Sequence, residues 1–455
     1  MERLKNKMVS RLIYLVWALG IVLLAYLPDR QDFLLLTLNF SAVFVCYWLI
    51  IDPANKIRLK SLLLVAIVTR LAIIPANPNL TDDFYRYVWD GQISLSLHNP
   101  YEKKPSEWME SEETPRFLDT DLYPHLNSPE YYSVYPPFAQ LFFATGALIA
   151  RGDSGGAVFW TKSLMVITEI TLLFIIVPLL RKMGKDPGMV AIYALNPLVL
   201  MEISGNMHIE GISILFLALA LMYYHGKKGI RTGIMLGLSI GAKILPLILL
   251  PAMALASNFK QWLSFSVAAL LMAALLFSPL LFGHSWLNFF ESLSLYYQTF
   301  EFNASIYYIL RFIGEWIKGY NWISFIAPLS NLLFVLLYLG VLFMVKRRGV
   351  TKQRMPEILT VILTLYFLFQ TTVHPWYILP LVLLSALTGW RYPIVWSGVI
   401  FLSYHAYSVY PYQENQWITT FSYLAVIVSA WWLDKDKIKA IWKGNQPIGR
   451  KFEES

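Results

Sequence analysis

Cysteine is almost missing from this 455-residue chain: Cys46 stands alone, inside an apolar run. An internal disulfide framework, and with it a small secreted scaffold, is excluded. Charge is scarce as well. Asp, Glu, Lys and Arg together make up 15% of the residues, against roughly a quarter in a soluble domain. That is too little polar surface to cover a water-soluble globule of this length, so a soluble enzyme, a disordered chain and a nucleic-acid-binding domain are excluded too. The sequence holds no glycine-rich strand–turn–helix signature for a nucleotide phosphate, no low-complexity tract and no convincing internal repeat.

What fills the chain instead is apolar: 57% of the residues are aliphatic, aromatic or cysteine, and they come in blocks such as Ile170 to Leu180, Ile214 to Met222 and Leu332 to Val345. A helix needs roughly 20 such residues to cross a bilayer. The reading is an all-α polytopic integral membrane protein with about 12–14 transmembrane helices, folded as one domain over 1–455. Leu12 to Leu27 reads as an uncleaved first span, because no small-residue cleavage pattern follows Pro28 and a second run begins at Phe33. Further spans are expected at 33–51, 60–75, 158–180, 188–204, 208–224, 261–282, 322–345, 356–371, 375–389, 392–409 and 417–433. The stretch 230–256, broken by Gly241, Lys243, Pro246 and Pro251, is one kinked span or two short helices meeting at Lys243. The short run 136–150 opens with Pro136-Pro137 and reads as re-entrant or interfacial.

Charge orders these segments. With the N-terminus inside and 230–256 counted twice, 26 of the 37 basic residues face the cytoplasm, among them Lys56, Arg181, Lys227, Arg231, Lys346, Arg347, Arg348 and the tail 434–455. The opposite choice puts the 181–185 and 227–231 clusters outside, against the positive-inside rule. The expected layout therefore has about 14 crossings of the inner (plasma) membrane, both termini cytoplasmic, and two extracytoplasmic loops, 76–135 and 283–321.

The first of these loops carries eleven acidic and four basic residues, a net charge of −7 in a protein of net charge +8. Loops of such length are functional or disordered, and the many tyrosines and tryptophans here argue for order. It opens Thr81-Asp82-Asp83-Phe84-Tyr85-Arg86-Tyr87-Val88-Trp89-Asp90-Gly91. Thr81 is a good N-cap and the two aspartates suit the positive end of a helix. Asp83, Arg86, Tyr87 and Asp90 then share one face by their i, i+3, i+4, i+7 spacing. The face reads either as a capped interfacial helix with an Asp83–Arg86 or Arg86–Asp90 ion pair, or as a carboxylate at the mouth of a membrane cavity, available as a general base.

That run, with His98-Asn99-Pro100-Tyr101 and Tyr135-Pro136-Pro137-Phe138 after it, resembles the first outer loop of the GT-C superfamily of glycosyltransferases. In particular it looks like the bacterial polyprenyl-phosphate-mannose-dependent mannosyltransferases. The similarity continues through Asn196-Pro197-Leu198, Gly205-Asn206-Met207-His208-Ile209-Glu210-Gly211, Lys243 with Pro246-Leu247, Phe302-Asn303-Ala304-Ser305-Ile306-Tyr307-Tyr308 and His374-Pro375-Trp376-Tyr377. One departure is that the relatives more often carry Gly-His-x-Asp where this chain has Met207-His208-Ile209-Glu210. The resemblance implies a GT-C-like fold and transfer of a sugar, mannose above all, from a polyprenyl-phosphate donor to a lipid or glycan acceptor on the outer face of the membrane. Nucleic acid has no part in it. Such a reaction needs a base for the acceptor hydroxyl and cationic or hydrogen-bonding support for the departing phosphate.

Asp83 is the expected base and Asp82 the alternative, the latter otherwise capping the helix or assisting a divalent cation, the one cofactor left open. Arg86, Tyr87 and Asp90 furnish the same face. Lys243, flanked on both sides by apolar helix, reads as a phosphate ligand or as a snorkelling lysine, with Arg311 and Arg86 as further phosphate candidates. His208 and Glu210 read as a satisfied polar pair or a substrate contact, since a zinc site lacks a third ligand. His374, Trp376 and Tyr377 sit at another outer turn, where Trp376 anchors the interface or stacks on a sugar face. Asp119-Thr120-Asp121 matches the metal–nucleotide motif of soluble glycosyltransferases by coincidence, and Glu169 within a span has no assigned role. The competing functions are a multi-spanning transporter or lipid flippase, and a polysaccharide polymerase or ligase with a diphosphate-linked donor.

Overall fold

The computed structural model describes residues 2–52, 58–409 and 412–443. Lys56 and tail residues 444–455, which entered the charge argument, fall outside them. Among the described residues the chain forms helices and no strand, apart from an isolated bridge between Phe302 and Thr372.

Helices α1 (Glu2–Tyr26), α2 (Phe33–Ile50) and α3 (Leu59–Ala72) lead into the segment 76–135, which folds as α4 (Asp83–Leu95), α5 (Pro105–Glu110) and a 3-10 turn at Thr120–His125. After α6 (Pro137–Ile149) and the long α7 (Ser154–Lys182) comes a broken stretch. There α8 (Ala191–Ala194) and α9 (Pro197–Val199) run into a π-helical turn at Leu200–Gly205, the two halves bent by 56°. Next are α10 (Glu210–His225), α11 (Gly229–Ala242), α12 (Leu250–Leu255) and α13 (Phe259–Phe277), then α14 (Ser285–Thr299) and α15 (Ile306–Lys318) in the segment 283–321. The chain closes with α16 (Ile323–Arg348), α17 (Met355–Phe369), α18 (Leu379–Thr388), α19 (Tyr392–Val399), α20 (Gln416–Leu433) and α21 (Lys435–Lys443).

All fourteen segments expected as spans are helical, and 230–256 is indeed divided at Lys243, whose backbone is extended (φ −153°, ψ 131°). Four helices are long and apolar enough by themselves to cross a membrane: Phe33–Ile50, Ser154–Lys182, Phe259–Leu281 and Ile323–Arg348. Rows of large apolar side chains face outward. They include Leu12, Leu15 and Leu19 on α1, Leu332, Leu336 and Phe343 on α16, and Leu424, Val428 and Trp431 on α20. Water does not tolerate apolar faces of that extent, whereas lipid does, and the protein is an all-α polytopic membrane protein.

Within the bundle, a buried charged cluster is paired. Arg70 on α3 reaches Glu169 on α7 at 3.2 Å and the Ala194 carbonyl at 2.8 Å, and Tyr193 donates to Glu169 at 2.8 Å. The role missing for Glu169 is thus structural: a buried charge is costly unless partnered. Gly229, Gly233, Gly237 and Gly241 form a four-residue repeat along α11 facing α13. A Cβ on Gly237 would fall 2.6 Å from the Met272 Cβ and 2.7 Å from the Ala269 carbonyl oxygen. Only glycine lets the two backbones approach so closely, and this contact fixes the end of α11 from which Lys243 projects.

The two ends of the bundle differ. At one, Lys352 meets Gln261 at 2.6 Å and the Tyr224 ring at 4.6 Å, and Asp434 accepts from the backbone of Arg391 and Tyr392 at 2.7 and 2.8 Å. The basic loops gather there. The segment 76–135 and the turns at 206–210, 243, 302 and 370–377 gather at the other.

Candidate functional site

The site is built on the first turn of α4. Asp82, rather than Thr81, occupies the N-cap position and makes no side-chain cap bond, while the Thr81 hydroxyl accepts from the Asp83 N–H at 3.1 Å. The two aspartates diverge, as adjacent helical residues must. Asp82 forms an ion pair with Arg30 from the α1–α2 turn. Asp83 accepts a hydrogen bond from the Asn127 amide at 3.0 Å. Burial raises the Asp83 carboxyl above its ordinary range, and Glu210 and Asp82 add to the effect; His208 and the Asn127 hydrogen bond oppose it. A carboxylate so placed is a stronger base than one in water.

The rest of the α4 face lies beneath. The Arg86 guanidinium donates to Asp90 at 2.7 Å and to the carbonyls of Ser128 and Tyr131 at 3.3 and 3.0 Å. Asp90 also accepts from Ser133 at 2.5 Å and Gln140 at 2.8 Å. Arg86 and Asp90 are 3% and 0% exposed, so their hydrogen bonds are spent inside the protein. The Arg86–Asp90 pair is the ion pair that forms, and Arg86 does not hold Asp83. Tyr87 is buried with its ring 4.4 Å from Phe143 and edge-on to Tyr135 at 4.9 Å. Together these residues clamp 128–133 over α4 and so carry Asn127 to Asp83. The Asp119-x-Asp121 pair is local architecture: Asp119 accepts from the Asp121 N–H at 3.1 Å and the Ser154 hydroxyl at 2.5 Å.

From the π-turn comes the second wall. Met207 sits at φ 67°, a left-handed conformation unusual for a residue with a side chain. It reverses the chain between the turn and α10 and points His208 and Glu210 inward. His208 is fully buried, its Nε2 3.3 Å from Glu202, and Glu202 accepts from the Tyr404 hydroxyl at 2.8 Å and Asn206 at 3.3 Å. The imidazole lies on Trp376, ring centroids 3.8 Å apart, and the other face of Trp376 is covered by His374 at 4.4 Å, followed by Phe302 at 4.7 Å. Both indole faces are therefore occupied, which leaves no open face for the alternative in which a sugar stacks on Trp376. Burial, then the charges of His208 and Lys243, push His374 down to about 3, so it is neutral.

Lys243 closes the site. Its ammonium pairs with Glu210 and lies 4.1 Å from the centre of the Tyr377 ring. The lysine side chain keeps about 25% exposure while Glu210 has 3%, so the cation faces the open side and the carboxylate holds it there. Lys243 is thus a partnered charge, engaged by Glu210 and the Tyr377 ring. Arg311 goes elsewhere: Glu301 holds it at 2.5 Å and Glu315 at 3.3 Å, beneath the Tyr308 ring. Of the sequence candidates, Asp83, His208, Glu210, Lys243, His374, Trp376 and Tyr377 thus converge, with Asp82 at their border. Arg86, Tyr87 and Asp90 brace them, and Arg311 stands apart. Sequence reasoning missed Arg30, Asn127, Glu202 and Tyr404. The one available signal was Glu202, an acid inside an apolar run. Among the described residues no group of three or more His, Cys, Asp or Glu side chains is arranged to hold a metal.

The geometry offers a half-buried carboxylate near a partnered cation, at one end of a membrane bundle, walled by aromatic rings. A family model described as alpha-(1->6)-mannopyranosyltransferase, N-terminal domain, matches residues 14–258, more than half of the chain and all of the site through Lys243. No curated protein matches the chain.

Proposed function

The chain belongs to the alpha-(1->6)-mannopyranosyltransferase family, and from that premise we propose that it transfers mannose from a polyprenyl-phosphate donor to a hydroxyl on C6 of a mannose in a lipid or glycan acceptor. The site faces the outside of the plasma membrane in this reading, with both termini cytoplasmic, because the basic loops collect at the opposite end of the bundle. The observation that carries the proposal is the placement of Asp83, which forms no ion pair with Lys or Arg among the described residues, near Glu210 of the Lys243–Glu210 pair.

Asp83 takes the proton of the acceptor hydroxyl as its oxygen attacks the anomeric carbon. The new C–O bond forms while the bond from C1 to the phosphate oxygen breaks, and the electron pair leaves with the polyprenyl phosphate. A single displacement inverts the anomeric centre. Phosphate is a good leaving group, so no second acid is required. Lys243 supports the charge that develops on it, oriented by Glu210 and the Tyr377 ring. Asp82 is already engaged in its ion pair with Arg30. His208, gripped between Glu202 and Trp376, fixes the wall opposite Asp83.

The test is transfer by the purified protein from polyprenyl-phosphate mannose, with polyprenyl-phosphate glucose as the control, to membrane lipids and to short α-mannosides. Mannose transfer that yields α-(1→6)-linked product supports the reading. Absence of transfer from every monophosphate donor, together with solute uptake by vesicles containing the protein, would replace it with a transporter.

A further inference from the structure

A cleft of about 490 Å³ opens at the same end of the molecule, between the α1–α2 turn, the α3–α4 connection, the 3-10 turn after α5 and the start of α7. This is the size of a small-molecule site. Its polar lining residues include Asp29, Asp82, Arg30, Gln31, Asn77 and Asn79, and the exposed Phe159 lines it too. Two carboxylates against one guanidinium, itself paired to Asp82, repel a phosphate. Carboxylates, amides and an aromatic ring in one cleft suit a neutral ligand rich in hydroxyls, which donates to the former and lays its C–H face on the latter.

The cleft borders the reaction site through Asp82. Asp82 lines it, and the next residue in the chain is Asp83. Arg30 lies 5.0 Å over the ring of Tyr407, which neighbours both aspartates. The cationic Lys243 is absent from the lining. A phosphate-bearing donor and a neutral acceptor are therefore sorted by charge, the one toward Lys243 and the other toward the cleft.

We propose that this cleft is the acceptor site and holds the terminal hexose of a neutral glycan, with the Asp82–Arg30 pair binding its ring hydroxyls and its exocyclic hydroxymethyl group reaching past Asp82 to Asp83. The proposal rests on the mannosyltransferase reading and narrows its acceptor to a neutral glycan rather than a phospholipid headgroup. A primary hydroxyl stands one carbon off the ring, so the ring stays in the cleft while the oxygen meets the base. That accounts for transfer to C6.

Gly155 supplies the test. It lines the cleft, and a Cβ there would meet the Asp153 carboxylate at 3.7 Å and nothing else within 4 Å, so Gly155→Phe fills the space without opposing the backbone. With the full-length protein in nanodiscs and α-1,6-mannobiose as acceptor, Gly155→Phe is expected to raise the acceptor KM at least tenfold and leave the donor KM unchanged, while Gly155→Ala behaves as wild type. Asn79→Leu is a second variant that removes one amide and adds no bulk, and it is expected to raise the acceptor KM severalfold. An unchanged acceptor KM in folded Gly155→Phe, or a raised donor KM, would overturn the assignment. Binding of the mannobiose alone, read by saturation-transfer NMR, separates this from the reaction. If wild type transfers nothing but binds the disaccharide and Gly155→Phe does not, the cleft is a glycan site and the donor reading has failed; equal binding by both proteins removes the cleft.

Discussion

Replacing Asp83 with asparagine is the sharpest perturbation available, because it removes a charge and almost nothing else. The Asn127 amide donates to Asp83 Oδ1 at 3.0 Å and the Thr81 hydroxyl accepts from its backbone N–H at 3.1 Å; a side-chain amide oxygen preserves the first, and the second does not involve the side chain. The helix start is therefore unchanged. What disappears is the proton acceptor. General-base catalysis contributes about 10²–10⁴-fold, or roughly 2.7–5.4 kcal/mol of barrier, so kcat for mannose transfer should fall by that factor while the lipid donor still binds.

Stability should move the other way. Burial raises the Asp83 pKa in the folded protein, so between the unfolded and folded pKa values the folded state binds the extra proton. The corresponding stabilisation is complete below the unfolded value of about 3.9 and is lost as pH rises through the folded pKa. At neutral pH the charged Asp83 is a net cost, and Asp83→Asn should melt at a temperature equal to or above that of wild type at pH 7, with the gain gone near pH 4. Wild-type kcat/KM should likewise fall on acidification at a pH above the ordinary carboxylate range. Turnover and thermal unfolding of both proteins across pH decide the matter. Near-normal turnover in Asp83→Asn refutes the assignment, and a dead Asp82→Asn beside it would move the base back one residue.

Other expectations concern the donor, the frame and the layout. Lys243→Met should weaken donor binding tenfold to a hundredfold, the equivalent of about 1.5–3 kcal/mol for a charged contact. Because it also leaves the buried Glu210 carboxylate unpartnered, the Lys243→Met/Glu210→Gln double variant should recover stability without recovering affinity; unchanged donor affinity in either would dismiss the lysine. Gly237→Leu should force α11 away from Met272 and Ala269 at about 1–3 kcal/mol, seen as a lower melting temperature, and a melting temperature equal to wild type would deny that close approach. Cysteines placed at Ser111 and Ser128 should react with an impermeant thiol reagent on intact cells and one at Ser257 should not; the reverse pattern overturns the orientation.

Several parts of this protein were legible before any fold was known, and the reason is that they are local. Apolar runs long enough for helices fix the bundle, since lipid leaves the backbone no alternative. Gly241, Lys243, Pro246 and Pro251 break one of those runs at the lysine, and the break appears where they predict it. The Asp-rich first turn of α4 and the turns at His208 and His374 could be picked out because polar residues stand where the apolar pattern stops.

Tertiary structure decided how those residues are used, through partners far away in the chain. Arg30 takes Asp82 across 52 positions and Lys243 takes Glu210 across 33, and no helical period encodes either choice. Shared spacing on α4 suggested that Arg86 and Asp90 serve Asp83; the packing of 128–133 onto α4 instead satisfied them below it, because a buried charge must find its hydrogen bonds wherever the fold supplies them. Trp376 was recognisable as an aromatic at a turn, but only the approach of His208 and His374 to its two faces settled that it serves as a wall. Glu202 stayed hidden inside an apolar segment until the π-turn and Tyr404 met around it. Sequence thus set which groups the membrane surface would carry, and the long-range packing of helices set which of them remain free to act.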